Sequence, residues 1–260
     1  MINYRQEING LRAIAVLAVL FFHAEFIING INLFQGGFIG VDIFFVISGY
    51  LITSIIIQDL KDKKFSFLNF YERRARRILP ILCLILIFTF IFSWYLFLPL
   101  EMEKYSSSAL SSILFSSNFW FYDQADYWNN LGSIKPLLHT WSLSLEEQFY
   151  IFFPLIVFFF WKYLKKYLLI LFSLSIVISL FIANEYSVKE PEYSFYLMPA
   201  RIWELLSGSI MAILEINYGR KRYHSYNKFA PLLGLLLIFY SITFFSEETI
   251  HPSLNTLIPI

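Results

Sequence analysis

Residues 38–57 read FIGVDIFFVISGYLITSIII, a run in which Asp42 is the only formally charged side chain. A bilayer core takes roughly 20 apolar residues per helix, so this stretch predicts a membrane-spanning helix. Further apolar runs lie at 12–28, 78–98, 139–161, 168–183, 200–216 and 229–245. Another begins near Leu254. The sequence therefore predicts an all-α polytopic membrane protein with about seven complete transmembrane helices and the start of an eighth.

The composition of the chain agrees with a membrane location. Of its 260 residues, 58% are hydrophobic and only 15% are charged. A soluble domain carries about 25% charged residues, so an ordinary soluble domain is excluded, as is a disordered chain. The net charge of +1 disfavours a nucleic-acid partner. A single cysteine, Cys83, excludes a disulfide framework and a multi-cysteine zinc site, and no metal is expected.

The distribution of basic residues predicts the orientation in the membrane. With a cytoplasmic N-terminus, 16 lysines and arginines fall inside, mostly in the loops 58–77 and 218–228, and four fall outside. Because cytoplasmic loops are enriched in Lys and Arg, this asymmetry predicts a cytoplasmic N-terminus. Residues 99–137 then form an outer loop, in which the serine-rich segment 105–122 is expected to lie at the membrane surface as a helix. One domain is expected over 1–260.

The first predicted helix carries Arg12 and His23 on one face. His23 follows Arg12 by 11 positions, which correspond to three turns plus about 20° and to about 16 Å along the axis. Arg12 is then expected at the cytoplasmic edge and His23 near mid-membrane, whereas His251 is expected in an outer loop. Two interpretations remain open: a histidine bonded to a neighbouring helix, or a proton-handling histidine at the foot of a cytosol-facing channel.

The second helix contains two polar positions of interest. Ser48 is expected level with His23, and Asp42 about one turn below the outer surface. The small residues around Ser48 also permit close helix approach, so packing and function are both open there. Asp42 is suited to accept a hydrogen bond from a substrate or to hold a partner helix.

Four arginines crowd the loop before the third span: Arg73, Arg74, Arg76 and Arg77. Basic residues beside a membrane usually set topology and contact anionic lipid. Guanidinium groups also suit phosphate oxygens, because they donate paired hydrogen bonds. The loop is therefore either a topology signal or a site for a soluble phosphorylated cofactor.

The fourth span begins with polar residues at helical spacing. His139, Ser142 and Glu146 fall at i, i+3 and i+7, so they share one face. Entering from outside, Glu146 and Glu147 reach about 10–12 Å into the bilayer core. Two adjacent carboxylates at that depth need partner groups or a bound proton, which indicates a site.

Together these motifs resemble the acyltransferase family 3 membrane enzymes, the bacterial O-acyltransferases of lipopolysaccharide, peptidoglycan and other surface glycans. The motifs are Arg12-x10-His23, GVDIFFVISGYLI at 40–52, FYxRRxxRIxP at 70–80, HTWSLSxEEQFY at 139–150 and RxWELLxG at 201–208. The resemblance implies an enzyme of the bacterial inner membrane that moves an acyl group, usually acetyl, from cytoplasmic acyl-CoA to a glycan hydroxyl outside. The family domain has about ten helices, so the sequence is expected to lack about three.

The resemblance also assigns roles. Arg12 and the loop arginines are the expected acyl-CoA ligands, with the family's Arg-x-x-Arg motif falling at Arg73 and Arg76 or at Arg74 and Arg77. His23 is the expected general base or acyl carrier, and both roles remain open. The other candidate catalytic residues are Glu146 and Glu147, and the candidate sugar ligands are Asp42, Ser48, His139, Trp141, Ser142, Arg201 and Trp203.

A competing interpretation is a membrane transporter or flippase of a glycan or small anion. It would use the same intramembrane ionisable groups for proton coupling. Such a protein is expected to show internal repeats and broken helices in matching positions, and the sequence shows neither. This difference favours the enzyme.

Overall fold

The computed structural model describes residues 5–25, 27–28, 31–125, 134–219, 229–246 and 248–260. The chain divides into two compact units. Unit 1 comprises Met1–Gln58, Phe159–Phe195 and Pro199–Ile260, and unit 2 comprises Asp59–Phe158 and Tyr196–Met198. The predicted cytoplasmic loop 218–228 lies, from residue 220 onward, outside the described residues.

The described chain is almost entirely helical. Its α-helices are α1 (Gln6–His23), α2 (Gly40–Lys61), α3 (Phe67–Leu96), α4 (Pro99–Ile113), α5 (Ser117–Asp123), α6 (Thr140–Tyr163), α7 (Leu168–Lys189), α8 (Pro191–Tyr196), α9 (Met198–Tyr218) and α10 (Ala230–Phe244). Short 3-10 helices lie at Gly37–Ile39, Lys165–Tyr167 and Leu254–Leu257. Two strands, β1 (Ile27–Ile28) and β2 (Ile31–Asn32), pair antiparallel.

Five helical segments are long and apolar enough to cross a membrane. They are Gly37–Lys61, Phe67–Leu96, Thr140–Tyr163, Lys165–Lys189 and Pro191–Tyr218. Each contains or overlaps one of the predicted spans. The prediction of an all-helical chain with several membrane-spanning segments is therefore confirmed at this coarser level.

The predicted count of seven complete spans is not reproduced. Helix α1 begins at Gln6, so it includes Glu7 and Arg12, and it ends at His23 instead of residue 28. Helix α10 has 15 residues, which at 1.5 Å per residue is about 22 Å, short of a bilayer core of about 30 Å. The eighth helix expected near Leu254 is a four-residue 3-10 helix.

In unit 1, helices α2 and α9 cross at two glycines. A Cβ on Gly49 would lie 1.8 Å from the Leu205 carbonyl oxygen, and one on Gly208 would lie 1.9 Å from that of Val46. Only glycine permits backbones to approach this closely. Ser209 Oγ on α9 donates a hydrogen bond across the crossing to the Gly49 carbonyl oxygen at 3.4 Å. The crossing holds the two helices in a fixed register.

In unit 2, helix α3 exposes most of its apolar surface, since only 11% of its most apolar window is buried. This exposure suits contact with lipid. The predicted surface segment 105–122 forms two helices, α4 and α5, separated at Phe115, whose φ is 50°. Neither helix is among the five candidate spans.

Candidate active site

His23 is the last residue of α1 and is exposed. Its ring lies edge-on to Phe22, with centroids 5.0 Å apart. Arg12, which is half-buried, lies on the same uninterrupted helix, so the shared helical face is retained. The helix begins and ends several residues earlier than the predicted run 12–28, so His23 lies at its end. The location of His23 near mid-membrane stays a prediction.

A buried ionic cluster joins the first turns of α2 and α9. Arg201 Nη1 donates to Asp42 Oδ1 at 2.7 Å and to Glu204 Oε1 at 3.0 Å. Arg201 Nε donates to the Phe195 carbonyl oxygen at 3.1 Å. The three charged residues are 0% exposed. Burying such groups costs several kcal/mol per ion, so the cluster is a functional candidate by default.

His251 completes this cluster from a segment that follows α10. Its Nε2 lies 3.3 Å from both Nη1 and Nη2 of Arg201 and 3.5 Å from Asp42 Oδ1. The neighbouring Pro252 carbonyl oxygen accepts a hydrogen bond from Ser187 Oγ on α7, which anchors the segment. His251 lies in a non-helical segment, yet its side chain is only 9% exposed. Its location on the outer side of the membrane stays a prediction.

Burial and the adjacent Arg201 guanidinium hold the pKa of His251 well below its usual value. Both effects penalise an additional positive charge, so the imidazole is neutral. Several polar atoms of the cluster have no hydrogen-bond partner among the described residues, namely Asp42 Oδ2, Glu204 Oε2 and His251 Nδ1. Buried polar atoms are normally paired, so these atoms indicate a site prepared for a polar group.

Aromatic rings connect His23 to this cluster within unit 1. Phe22, beside His23, contacts Phe38 at 5.8 Å between centroids. Phe38 in turn contacts the His251 ring at 4.7 Å. The exposed histidine and the buried cluster consequently lie at the same end of the unit.

Three of the sugar-ligand candidates have no exposed surface. Asp42, Arg201 and Trp203 are all 0% exposed. Trp203 is packed with Ala183 and Ala200, because the first turn of α9 is covered by α7. Their role in sugar binding stays a prediction. Ser48 is half-buried beside the crossing glycine Gly49.

Unit 2 contains a second polar group, in which Arg74 approaches the predicted glutamate pair. The Arg74 guanidinium lies 5.7 Å from the centroid of the Tyr150 ring and interacts electrostatically with Glu147. Tyr150 donates its hydroxyl to Glu146 Oε2 at 2.8 Å. Glu147 is buried, and its Oε1 has no partner among the described residues. Arg74 is thus half-buried in the electrostatic field of a carboxylate, and its role as a phosphate ligand stays a prediction.

The other three arginines were expected in a loop, but they lie in the first turns of α3, where they are exposed. Arg73 pairs with Asp59 at 3.2 Å, and Arg76 pairs with Glu72 one turn earlier at 2.7 Å. Arg77 is also exposed. Exposed pairs of this kind contribute only about 0–1 kcal/mol, so the guanidinium groups can exchange partners at little cost.

The remaining candidates surround the start of α6. His139 is exposed in the turn before the helix, and Ser142 Oγ donates to its carbonyl oxygen at 3.2 Å. Trp141 is buried and packs edge-on against Tyr196 at 5.6 Å. A small open pocket between α4, α5 and the segment before α6 is lined by Lys104, Trp120, Lys135 and neighbouring residues.

Sequence reasoning missed two members of the buried cluster. Glu204 stands three residues after Arg201, and this i, i+3 spacing was a usable signal for an ion pair. His251 lies 50 residues away from Arg201 along the chain. No local pattern marks it, because its place depends on how its segment folds back onto α9.

Comparison with known proteins identifies the class. The family model described as an acyltransferase domain matches residues 5–259. The O-acetyltransferase OatA of Staphylococcus aureus (strain NCTC 8325 / PS 47) is 36% identical over 229 residues, which are 85% of this chain and 36% of that protein. The peptidoglycan O-acetyltransferase OatA of Listeria monocytogenes is 36% identical over 218 residues, 82% of this chain and 34% of that protein.

The putative peptidoglycan O-acetyltransferase YrhL of Bacillus subtilis is 42% identical over 156 residues, 59% of this chain and 24% of that protein. No solved structure matches the chain. The chain belongs to acyltransferase family 3, and this assignment favours the enzyme over a transporter or flippase. It spans about a third of the length of the curated relatives it matches.

Proposed function

We propose that this chain is the membrane-embedded part of an O-acetyltransferase that transfers an acetyl group to a hydroxyl of peptidoglycan. The observation that carries the proposal is the position of His23, an exposed titratable side chain, at the same end of unit 1 as the buried Arg201 cluster. The names of the relatives favour peptidoglycan over lipopolysaccharide as the acceptor.

The proposed donor is acetyl-CoA bound from the cytoplasm, with the N-terminus on that side and the protein in the bacterial inner membrane. Three exposed guanidinium groups, those of Arg73, Arg76 and Arg77, support this donor. Guanidinium groups match phosphate oxygens in geometry and charge, so they fit the phosphates of CoA. Arg74, which is half-buried near Glu147, stays a candidate for the same role.

The chemistry is acyl transfer from a thioester to an alcohol. A base must accept the hydroxyl proton as the new ester bond forms, and His23 is suited to this because histidine is the side chain most often used as a general base. His23 is equally suited to carry the acyl group as an intermediate. We place Glu146, Glu147 and Trp141 among the residues that orient the acceptor glycan.

Expression of the full-length gene in a bacterium that lacks peptidoglycan O-acetylation tests the proposal. We expect mass spectra of its muropeptides to show one added acetyl group that is removed by mild base. The matched strain carrying His23→Ala should show none. Acetylation of another surface glycan, with peptidoglycan unmodified, would contradict the proposed acceptor.

The arginines provide a test of the donor. In purified full-length protein, Arg73→Gln combined with Arg77→Gln should raise KM for acetyl-CoA by about tenfold or more, because a charge-assisted hydrogen bond contributes about 1.5–3 kcal/mol. The value of kcat should change little, since these contacts are the same in the ground and transition states.

Lys166→Gln serves as the matched control for this experiment. It removes one exposed positive charge at the start of another helix, and it should leave KM unchanged. If the double arginine variant also has an unchanged KM, the loop is a topology signal only.

A further inference from the structure

The contacts of His251 determine which of its nitrogens carries the proton. Both terminal nitrogens of Arg201 face Nε2 at 3.3 Å. A guanidinium group only donates hydrogen bonds, so Nε2 must be the acceptor. The neutral ring therefore carries its proton on Nδ1. The hydrogen-bond partner of Nε2 thus fixes the tautomer of the ring.

This assignment leaves a buried donor without an acceptor. His251 Nδ1 has no hydrogen-bond partner among the described residues, although the side chain is nearly fully buried. Nearby, Asp42 Oδ1 lies 3.5 Å from Nε2, on the Arg201 side of the ring. Leaving an N–H unpaired in such a place is unfavourable, so a donor held there is best explained by an acceptor that binds during function.

The proposed reaction requires a donor of this kind. Acyl transfer passes through a tetrahedral intermediate whose oxygen carries a negative charge, and enzymes stabilise that oxygen with preorganised N–H groups. His23 cannot supply this hydrogen bond while it accepts the hydroxyl proton or carries the acyl group. A separate neutral donor is needed, and neutral imidazoles polarise carbonyl groups in other enzymes.

We propose that His251 is a catalytic residue whose Nδ1–H donates a hydrogen bond to the acyl carbonyl oxygen as that oxygen becomes an oxyanion. This inference rests on the proposed acetyltransferase function and names a residue for one step of it. Phe38, which contacts the rings of both Phe22 and His251, places the imidazole on the side of the cluster that leads to His23.

Acyl transfer from the thioester to the hydroxyl proceeds in two stages. The acceptor hydroxyl oxygen bonds to the thioester carbonyl carbon, while its proton passes to His23 and the carbonyl electron pair moves onto oxygen. That oxygen accepts the hydrogen bond from His251, which keeps its own proton. The carbonyl then re-forms, the carbon–sulfur bond breaks, and the thiolate leaves with the proton from His23. If His23 carries the acyl group, the same oxyanion forms in each half of the transfer.

Arg201 is suited to support such a donor. The guanidinium lies against Nε2 and is itself held by Asp42 and Glu204. Its positive charge opposes protonation of the ring and polarises the N–H toward donation. Burial and this charge hold the pKa of His251 well below its usual value, so the ring stays neutral and keeps one N–H donor.

Two substitutions of His251 distinguish the loss of the Nδ1–H donor from the loss of packing and of the Arg201 contact. In His251→Gln, the amide group reaches the position of Nε2, where its oxygen accepts from Arg201, but no donor remains at the position of Nδ1. In His251→Asn, the amide nitrogen replaces Nδ1 and the contact with Arg201 is lost. The two variants therefore remove opposite halves of the imidazole.

We expect kcat of full-length His251→Gln to fall by about 10²–10³-fold with little change in KM for acetyl-CoA, as for loss of one oxyanion donor. His251→Asn should stay within about tenfold of the wild type, although it should be the less stable variant in detergent. If His251 has only a structural role, activity should follow thermal stability, and His251→Asn should then be the less active of the two variants. Either that order or a fully active Gln variant overturns the proposal.

A second measurement does not depend on how the variants fold. The nitrogen NMR shifts of the four histidines distinguish the tautomers, and His251 is assigned by substituting the others one at a time. We expect a protonated Nδ1 and an unprotonated Nε2 between about pH 5 and pH 8. The opposite tautomer overturns the proposal. If the proposed acetyltransferase function itself is wrong, the wild-type protein transfers no acetyl group. That outcome is distinguishable from a wrong role for His251, which changes only the variants and the tautomer.

Discussion

Replacing His23 by alanine is expected to abolish acetyl transfer while leaving the protein folded and able to bind acetyl-CoA. Loss of a general base lowers rates by about 10²–10⁴-fold, and loss of an acyl carrier would lower them at least as much. The side chain is exposed at the end of α1, so its removal creates no cavity. The rate of acetyl transfer to a soluble glycan fragment by purified full-length protein checks this prediction.

Leu20→Ala provides the control, because Leu20 lies one turn earlier on α1 and is 53% exposed. This variant should retain wild-type activity and similar thermal stability. If His23→Ala is fully active at normal expression, the assignment of His23 is wrong. The base must then be sought at Glu146 or Glu147.

The largest effect on stability is expected for Arg201→Leu. This change leaves the carboxyl groups of Asp42 and Glu204 buried without their cation. Breaking a buried ion pair by removing one partner costs about 3–5 kcal/mol, because the remaining charge is uncompensated. We expect that loss in the free energy of unfolding, measured in mixed detergent micelles.

Two comparisons make the Arg201 experiment specific. Adding Asp42→Asn should recover part of the loss, since residues of one network are energetically coupled. Arg76→Gln removes an exposed guanidinium paired with Glu72, and it should cost at most about 1 kcal/mol. A loss for Arg201→Leu no larger than that of Arg76→Gln would show that the cluster does not stabilise unit 1.

Motif spacing selected residues of the candidate site, but it did not predict which groups their side chains contact. Arg201 and Asp42 were both selected from the sequence, Arg201 as a sugar ligand and Asp42 either as a sugar ligand or as a residue that holds a partner helix. In the structure they pair with each other at 2.7 Å across 159 positions of the chain. Likewise, Arg74 was grouped with its neighbouring arginines, but its position on α3 turns it toward Tyr150.

Helix ends were the least predictable feature of the fold. A run of apolar letters does not show where a helix stops, and the run 12–28 continues past His23 into the strand β1. Whether His23 lies at mid-helix or at an end depends on that boundary. Helix α1 packs closely against the turn at Gly37 before it ends. A Cβ added to Gly37 would lie 2.2 Å from the Ala18 carbonyl oxygen.

The pattern of residues was enough to predict several helices able to span a membrane, the family and most of the charged candidates. These properties follow from short-range information, because about 20 apolar residues in succession suffice to specify a spanning helix. The grouping of Asp42, Arg201, Glu204 and His251 in one buried cluster follows instead from tertiary packing. Backbone contacts such as that of Gly49 with Leu205 bring distant segments together, and whether a charge is exposed or paired depends on those contacts.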